Sequence, residues 1–220
     1  MIAENLSLVL KELPEHVQLV AVSKTKPSSF IIEAYDAGER HFGENKALEM
    51  RDKSLELAED IKWHFIGHLQ RNKVKYIIPS VHLIHSVDSF RLLQEINKEA
   101  IKKDRVINCL LQFHIAKETS KFGFSIEEAN QVLTSEEFLL LKNVNIVGVM
   151  GMATFSEDKN LVRSEFKILK NIFEELKTTV FSKKPDFKEI SMGMSGDYLL
   201  AIEEGATIVR VGSSIFGSRL

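Results

Sequence analysis

Short apolar runs and helix-spaced apolar positions take turns along the whole chain. Ile2, Leu6, Val9, Leu10 and Leu13 recur at helical spacing and predict an amphipathic helix that stops near Pro14. Leu19, Val20, Ala21 and Val22 form an apolar run too short for a helix and bounded by polar residues, so a buried strand is expected over 18–23. The alternation then repeats. Strands are expected at 40–43, 61–67, 81–86, 106–115, 144–150, 187–192 and 206–211, and helices at 28–37, 45–59, 71–78, 89–102, 126–133, 160–178 and 195–203. Gly38 suits the end of the 28–37 helix, Ser86 or Asp88 the start of the 89–102 helix, and Ser125 with Glu128 forms a capping box for 126–133. Residues 213–217 are long enough for one turn only.

Eight strand–helix rounds argue for parallel βα units, and strands written as continuous apolar runs argue for cover on both faces. The fold class expected is α/β, a (β/α)8 TIM barrel with an extra N-terminal helix over 1–14 packed on it, the whole of 1–220 forming one domain. An open doubly wound sheet would want a glycine fingerprint after the first strand, and residues 23–27 contain no glycine.

Composition narrows the function classes. With 29 basic and 31 acidic residues the net charge is -2, which gives no electrostatic reason to expect nucleic acid as a partner. The single cysteine, Cys109, excludes an intrachain disulfide framework and fits a reducing compartment, so a cytoplasmic location is expected. Glu4, Lys11 and Glu12 interrupt the first segment, so no secretory signal is read there, and no apolar run is long enough to cross a membrane.

Candidate chemistry gathers at strand ends. Lys24 follows the first strand, and a half-buried lysine is suited to forming an imine with an aldehyde. Lys26 and Lys73 are rivals, the first expected in a solvated loop and the second on a basic helix face. The stretch SMGMSGD at 191–197 brings Ser191 and Ser195 hydroxyls together with Gly193 and Gly196 after the seventh strand. RVGSSIFG at 210–217 leaves the eighth strand in the same way. Loops after strands seven and eight are where barrels commonly hold a phosphate. Arg210 sits inside an apolar run and needs an acceptor, for which a neutral pyridine nitrogen would serve. Lysine, phosphate loops and arginine together point to pyridoxal 5′-phosphate. The pairs His64/His68 and His82/His85 lie on or near strands and are read as core or pocket histidines, with no metal expected. Cys109 reads as a small buried apolar group, and Glu127, Glu128, Glu136 and Glu137 as solvated helix faces.

Seven motifs carry a resemblance over 19–220: AVSKTKP at 21–27, FGEN at 42–45, WHFIGHLQRNK at 63–73, ETSKFGF at 118–124, GVMGM at 148–152, SMGMSGD at 191–197 and VRVGSSIFG at 209–217. In that order they resemble the YggS/PROSC family of pyridoxal-phosphate homeostasis proteins, whose fold is that of the alanine racemase barrel domain. The resemblance implies that Lys24 carries the cofactor as an internal aldimine. It implies that Ser195, Gly212 and Ser213 bind its phosphate, that Arg210 faces its ring nitrogen, and that Asn45, His64, Met150 and Ser191 line the pocket. Nothing is carried onto His68 or Gly151, where the family varies. An arginine there leaves the ring a weak electron sink. Racemases on this barrel add a tyrosine from a further β-domain, which is not expected in a chain that ends at Leu220. Of Tyr35, Tyr76 and Tyr198, only Tyr198 is expected anywhere near the site. The function implied is a carrier and buffer of the cofactor in amino-acid homeostasis, without strong catalysis. Two alternatives are a small amino acid racemase and a protein that hands the cofactor to apo-enzymes by direct contact, which would want an exposed apolar patch.

Overall fold

The computed structural model describes residues 1–116 and 122–217. Eight strands, β1 (Gln18–Val22), β2 (His41–Glu44), β3 (Lys62–Phe65), β4 (Val81–Val87), β5 (Ile107–Gln112), β6 (Val144–Met150), β7 (Glu189–Met194) and β8 (Ile208–Val211), close into one barrel in sequence order. Every pairing is parallel, including β1 with β8, where Val20 lies opposite Arg210. Around them lie α1 (Ile2–Glu12), α2 (Ser28–Asp36), α3 (Ala47–Glu56), α4 (Val74–Ile77), α5 (Phe90–Ile101), α6 (Ile126–Leu133), α7 (Glu136–Leu139), α8 (Lys159–Thr178), α9 (Tyr198–Glu203) and α10 (Ser213–Phe216). The expected (β/α)8 barrel is the fold observed.

The N-terminal helix packs on the barrel wall against α2 and α10. The Asn5 side-chain amide donates to the Ile215 carbonyl at 3.1 Å, and the Ile2 N–H donates to Glu33 Oε1 at 2.9 Å. Ser125 and Glu128 form the expected capping box on α6. Gly38, with φ 105°, donates its N–H to the Tyr35 carbonyl just past α2, a left-handed ending that costs glycine nothing. The cap of α5 is Ser89 rather than Ser86 or Asp88, because β4 runs on to Val87.

The apolar residues sort into two sets. The larger fills the space between barrel and helices. The smaller, Val20, Leu83, Leu110, Val147, Met150 and Ile208, fills the barrel itself. Such a filled interior is usual for eight parallel strands. It leaves a cavity of about 540 Å³ at the C-terminal ends of the strands and another of about 370 Å³ at their N-terminal ends.

One strand is displaced from its expected place, and the shift matters. The seventh was expected over 187–192 but spans Glu189–Met194. Phe187 is apolar for another reason: its ring stacks on Phe173 and Phe181, at 5.1 and 4.2 Å between centroids, outside the sheet. Gly193 and Met194 therefore belong to the strand and not to the loop, and Ser191 lies in mid-strand. The helix expected from 195 begins only at Tyr198, leaving Ser195, Gly196 and Asp197 as a turn closed by the Met194 N–H donating to Asp197 Oδ1 at 2.6 Å.

Candidate functional site

The C-terminal cavity is built from the ends of seven strands and the loops that follow them, all but β4 contributing. Lys24, Lys26, Asn45, Arg210, Ser195 and the Gly212–Ser213 pair all line it. This is the end at which barrels of this kind carry their sites.

Lys24 is half-buried just past β1, in a loop held from below. The Lys53 ammonium of α3, itself buried, donates to the Ser23 carbonyl at 2.9 Å, to Glu44 Oε1 at 2.8 Å and to Glu49 Oε1 at 2.8 Å. Ser23 Oγ donates to the same Glu44 oxygen at 2.6 Å. The Thr25 N–H donates to Glu49 Oε1 at 2.6 Å, and Thr25 has φ 64°. A β-branched residue in the left-handed region is strained, and such strain persists where the surroundings fix the backbone. Here they do so on both sides of Lys24. Burial raises the Glu44 carboxyl to about 6, outweighing the Lys53 ammonium beside it.

Across the cavity, the loops after β7 and β8 meet. The Gly212 N–H donates to Ser195 Oγ at 3.0 Å. Gly196 has open space where a Cβ would stand. Between these loops and Lys24 lies Arg210, buried on β8. Its Nη1 donates to Ser191 Oγ at 2.6 Å and its Nη2 to the Gly151 carbonyl at 3.1 Å. Burial lowers its pKa to about 10, with the Asp197 carboxylate opposing the shift, so it stays a cation at neutral pH. Asn45 presents a buried Oδ1 with no hydrogen-bond partner among the described residues. Gly67 lines the same wall, and a Cβ there would stand 2.4 Å from the Asn45 carbonyl oxygen, so the wall closes only around glycine.

Three expected pocket residues lie elsewhere. Met150 is part of the apolar set inside the barrel. Ser191, a strand residue, reaches the site only through Arg210. His64 lies on the other side of the plug and lines the N-terminal cavity, since β3 stops at Phe65 and His64 projects into the barrel below the mouth. Lys26, expected to be solvated, is half-buried and lines the mouth beside Lys24. Tyr198 turns away, its hydroxyl bonded to Glu12 of α1. Of the ETSKFGF motif, Glu118 to Lys121 lie outside the described residues. Its Phe122 lines the cavity with Met152 and Phe155. Met152 closes the GVMGM motif, whereas no pattern in the sequence marks Phe155; both sit in an irregular loop after β6.

A row of polar side chains runs from Arg210 down the barrel. Ser191 Oγ is 2.8 Å from His85 Nδ1, His85 Nε2 is 2.8 Å from His64 Nδ1, and His64 Nε2 is 2.9 Å from His41 Nδ1. Burial holds His64 and His85 well below the usual histidine range and His41 down at about 4, so the three rings are neutral at pH 7. Arg210 has no lone pair and can only donate, so Ser191 accepts from it. Beyond Ser191 the row has two neutral arrangements. Either His85 and His64 give their Nε2 protons toward His41, or His41 gives its Nδ1 proton to His64 while His64 and His85 give their Nδ1 protons toward Ser191.

The fold and the lysine–arginine mouth define a barrel of the alanine racemase type. A family model described as alanine racemase, N-terminal domain, matches residues 1–220. The chain is 40% identical over 203 residues to the pyridoxal phosphate homeostasis protein of Aquifex aeolicus, covering 92% of this chain and 87% of that one. It is 37% identical over 214 residues to the human protein of that name, covering 92% and 76%. Its barrel superposes on PipY of Synechococcus elongatus PCC7942 with pyridoxal phosphate bound, at TM-score 0.90 and 36% identity, covering 99% and 100%. The alanine racemase of Bartonella henselae, 16% identical with TM-score 0.73 over 98% of this chain and 60% of that one, shares the fold. The chain belongs to the pyridoxal phosphate homeostasis family, built on the alanine racemase N-terminal barrel.

Proposed function

We propose that this chain binds pyridoxal 5′-phosphate in the C-terminal cavity, with a covalent link from the Lys24 amine to the aldehyde carbon, and that it stores and releases the cofactor rather than turning over substrates. The observation that carries the reading is convergence. Lys24, Arg210, the unpartnered Asn45 Oδ1 and the Ser195–Gly212 contact share one cavity of about 540 Å³, a fitting size for a small cofactor. The relative that binds pyridoxal phosphate has the same fold at 36% identity.

When bound, the cofactor supplies an electrophilic aldehyde and an electron-accepting ring. The residues of the chain do the rest. Ser195, Gly212 and Ser213 take the phosphate with hydroxyl and amide donors. Arg210, fixed by Ser191 and the Gly151 carbonyl, points a cation at the ring nitrogen and disfavours its protonation, which weakens the electron sink. A racemase needs a second acid/base on the far face. Tyr35 donates to Asp60 at 2.7 Å and Tyr198 to Glu12, Tyr76 lies under Arg51, Lys73 and Lys75, and none of the three lines the cavity. The tyrosine that racemases on this barrel use thus has no counterpart in the cavity among the described residues, which supports a cofactor buffer in amino-acid homeostasis. We place it in the cytoplasm on the strength of a single, buried cysteine.

The test is the visible absorption of the purified protein, followed by borohydride reduction and peptide mapping. The expected result is a cofactor adduct on Lys24, abolished in Lys24→Ala. An adduct on Lys26, or an unchanged spectrum in Lys24→Ala, overturns the anchor. Sustained racemisation or transamination of an amino acid overturns the storage role.

One observation favours direct hand-over to apo-enzymes as a second reading. Phe155 is 97% exposed on the rim of the cavity, with Met152 and Phe122 also exposed beside it. An apolar rim around a cofactor mouth suits a docking partner.

A further inference from the structure

At the opposite end of the barrel, adjacent strands β2, β3 and β4 each send a histidine toward one point. The rings of His41 and His64 are 5.1 Å apart between centroids, those of His41 and His82 are 5.7 Å apart, and those of His64 and His82 are 5.4 Å apart. One ring nitrogen from each lies within 4.8 Å of the others. These three rings open onto the N-terminal cavity of about 370 Å³, whose floor is the apolar Leu83, Val147 and Ile208 and whose rim carries Asp186, Lys188 and Glu189.

We propose that His41, His64 and His82 bind a divalent ion of the zinc type, with the fourth position open to the cavity. Three imidazoles plus one exchangeable ligand is a donor set that zinc, cobalt(II) and copper(II) accept, while magnesium and calcium prefer oxygen. The geometry needs little adjustment. Nitrogens held about 2.0–2.1 Å from a tetrahedral ion stand roughly 3.4 Å from each other. His41 Nδ1 and His64 Nε2 now stand 2.9 Å apart, and His82 makes no hydrogen bond among the described residues that would have to break.

The ring that is buried deepest also has the support a metal ligand uses. A ligating histidine normally gives its other N–H to an acceptor that fixes its tautomer. His64 Nδ1 already faces His85 Nε2 at 2.8 Å, and His85 Nδ1 faces Ser191 Oγ at 2.8 Å. Metal binding selects the neutral form in which His64 and His85 carry Nδ1 protons and His41 its Nε2 proton, the ion taking the place of the His41–His64 hydrogen bond. His64 Nε2 and His41 Nδ1 then both offer lone pairs, and the number of protons in the row is unchanged. The Ser191 oxygen accepts from both Arg210 and His85, as its two lone pairs allow. Spacing along the sequence hides this trio, because 64/68 and 82/85 pair the wrong partners. Strand register assembles it instead: Gly43, two residues beyond His41, lies opposite His64, and His64 lies opposite Leu83, next to His82.

The proposal does not depend on the cofactor reading. Its test is cobalt(II) titration of the full chain without an affinity tag, read in the d–d absorption region and by competition with zinc. One tightly bound ion with tetrahedral absorption is expected. His82→Ala, on the rim where folding is not at stake, and His41→Gln should each weaken binding at least ~10-fold. His114→Gln, just past the C-terminal end of β5 and so at the opposite end of the barrel, should leave it unchanged. Ring-nitrogen NMR of the zinc-loaded protein should show the His64 proton on Nδ1. No stoichiometric binding, binding indifferent to His82→Ala and His41→Gln with circular dichroism showing both folded, or a His64 proton on Nε2 in the zinc-loaded protein overturns the proposal.

Discussion

Ser191→Ala tests whether the buried row under Arg210 is held together as described. Ser191 is fully buried, accepts from Arg210 at 2.6 Å and contacts His85 Nδ1 at 2.8 Å. Removing the hydroxyl leaves a buried guanidinium N–H without an acceptor, a loss of about 1.5–3 kcal/mol for a bond to a charged group. It also strips a partner from a buried imidazole nitrogen, for about 1 kcal/mol more. The sum is about 2.5–4 kcal/mol, a large part of the stability of a typical domain. Urea unfolding followed by circular dichroism should show it as a midpoint lower by roughly 1–2 M with an unchanged slope. Ser80→Ala is the contrast. The Ser80 hydroxyl oxygen is buried with no partner among the described residues, so its removal should cost nothing or stabilise slightly. The reasoning fails if Ser191→Ala loses less than about 1 kcal/mol, or if Ser80→Ala costs as much.

Three further outcomes follow from the same structure. Gly67→Ala forces a Cβ to within 2.4 Å of the Asn45 carbonyl, so the protein should fold with a displaced wall and bind pyridoxal phosphate at least ~10-fold more weakly by fluorescence titration, a penalty of about 1.4 kcal/mol. Glu44 has a folded-state pKa raised from 4.5 to about 6, so the folded form binds the extra proton. That contribution is fully present below about pH 4.5 and is lost as pH rises through about 6; Glu44→Gln escapes the loss, and its stability relative to the unsubstituted protein should improve by about 2 kcal/mol between pH 4.5 and 7 in urea titrations. A flat difference across that range would mean Glu44 does not titrate as its burial dictates. Phe155→Ser should leave the visible spectrum unchanged yet slow transfer of the cofactor to an apo-enzyme; an unchanged transfer rate argues for release into solution.

Much of the fold was legible because the barrel is written in repeated local signals. Each strand is an apolar run and each helix an amphipathic period, and the Ser125–Glu128 capping box and the Gly38 stop were read from single residues. Phe187 shows where this fails: an apolar residue can belong to a ring stack as well as to a strand, and the register of β7 slipped by two residues as a result. The candidate site was legible where loops carry it, at Lys24, Asn45, Ser195, Gly212 and Ser213. It was not legible inside the barrel. There His64, Met150 and Ser191 project at different depths along the strands, and depth is set by register between strands distant in sequence, which no local pattern encodes.

The Lys53 clamp has a consequence for how anything leaves the C-terminal cavity. One ammonium ties the Ser23 carbonyl, Glu44 and Glu49 together, and Glu49 in turn holds Thr25. The loop bearing Lys24 is thereby welded to α3 and cannot swing aside without breaking a buried ion pair. The facing side is held in another way. There the segment after β6 carries Met152 and Phe155 outward, while Thr154 is latched to Glu165 of α8 by its N–H and its hydroxyl at 2.7 and 2.8 Å. The two sides of the mouth are thus tied down by different bonds, a buried ion pair on the Lys24 side and a hydrogen-bonded latch to a carboxylate on the other.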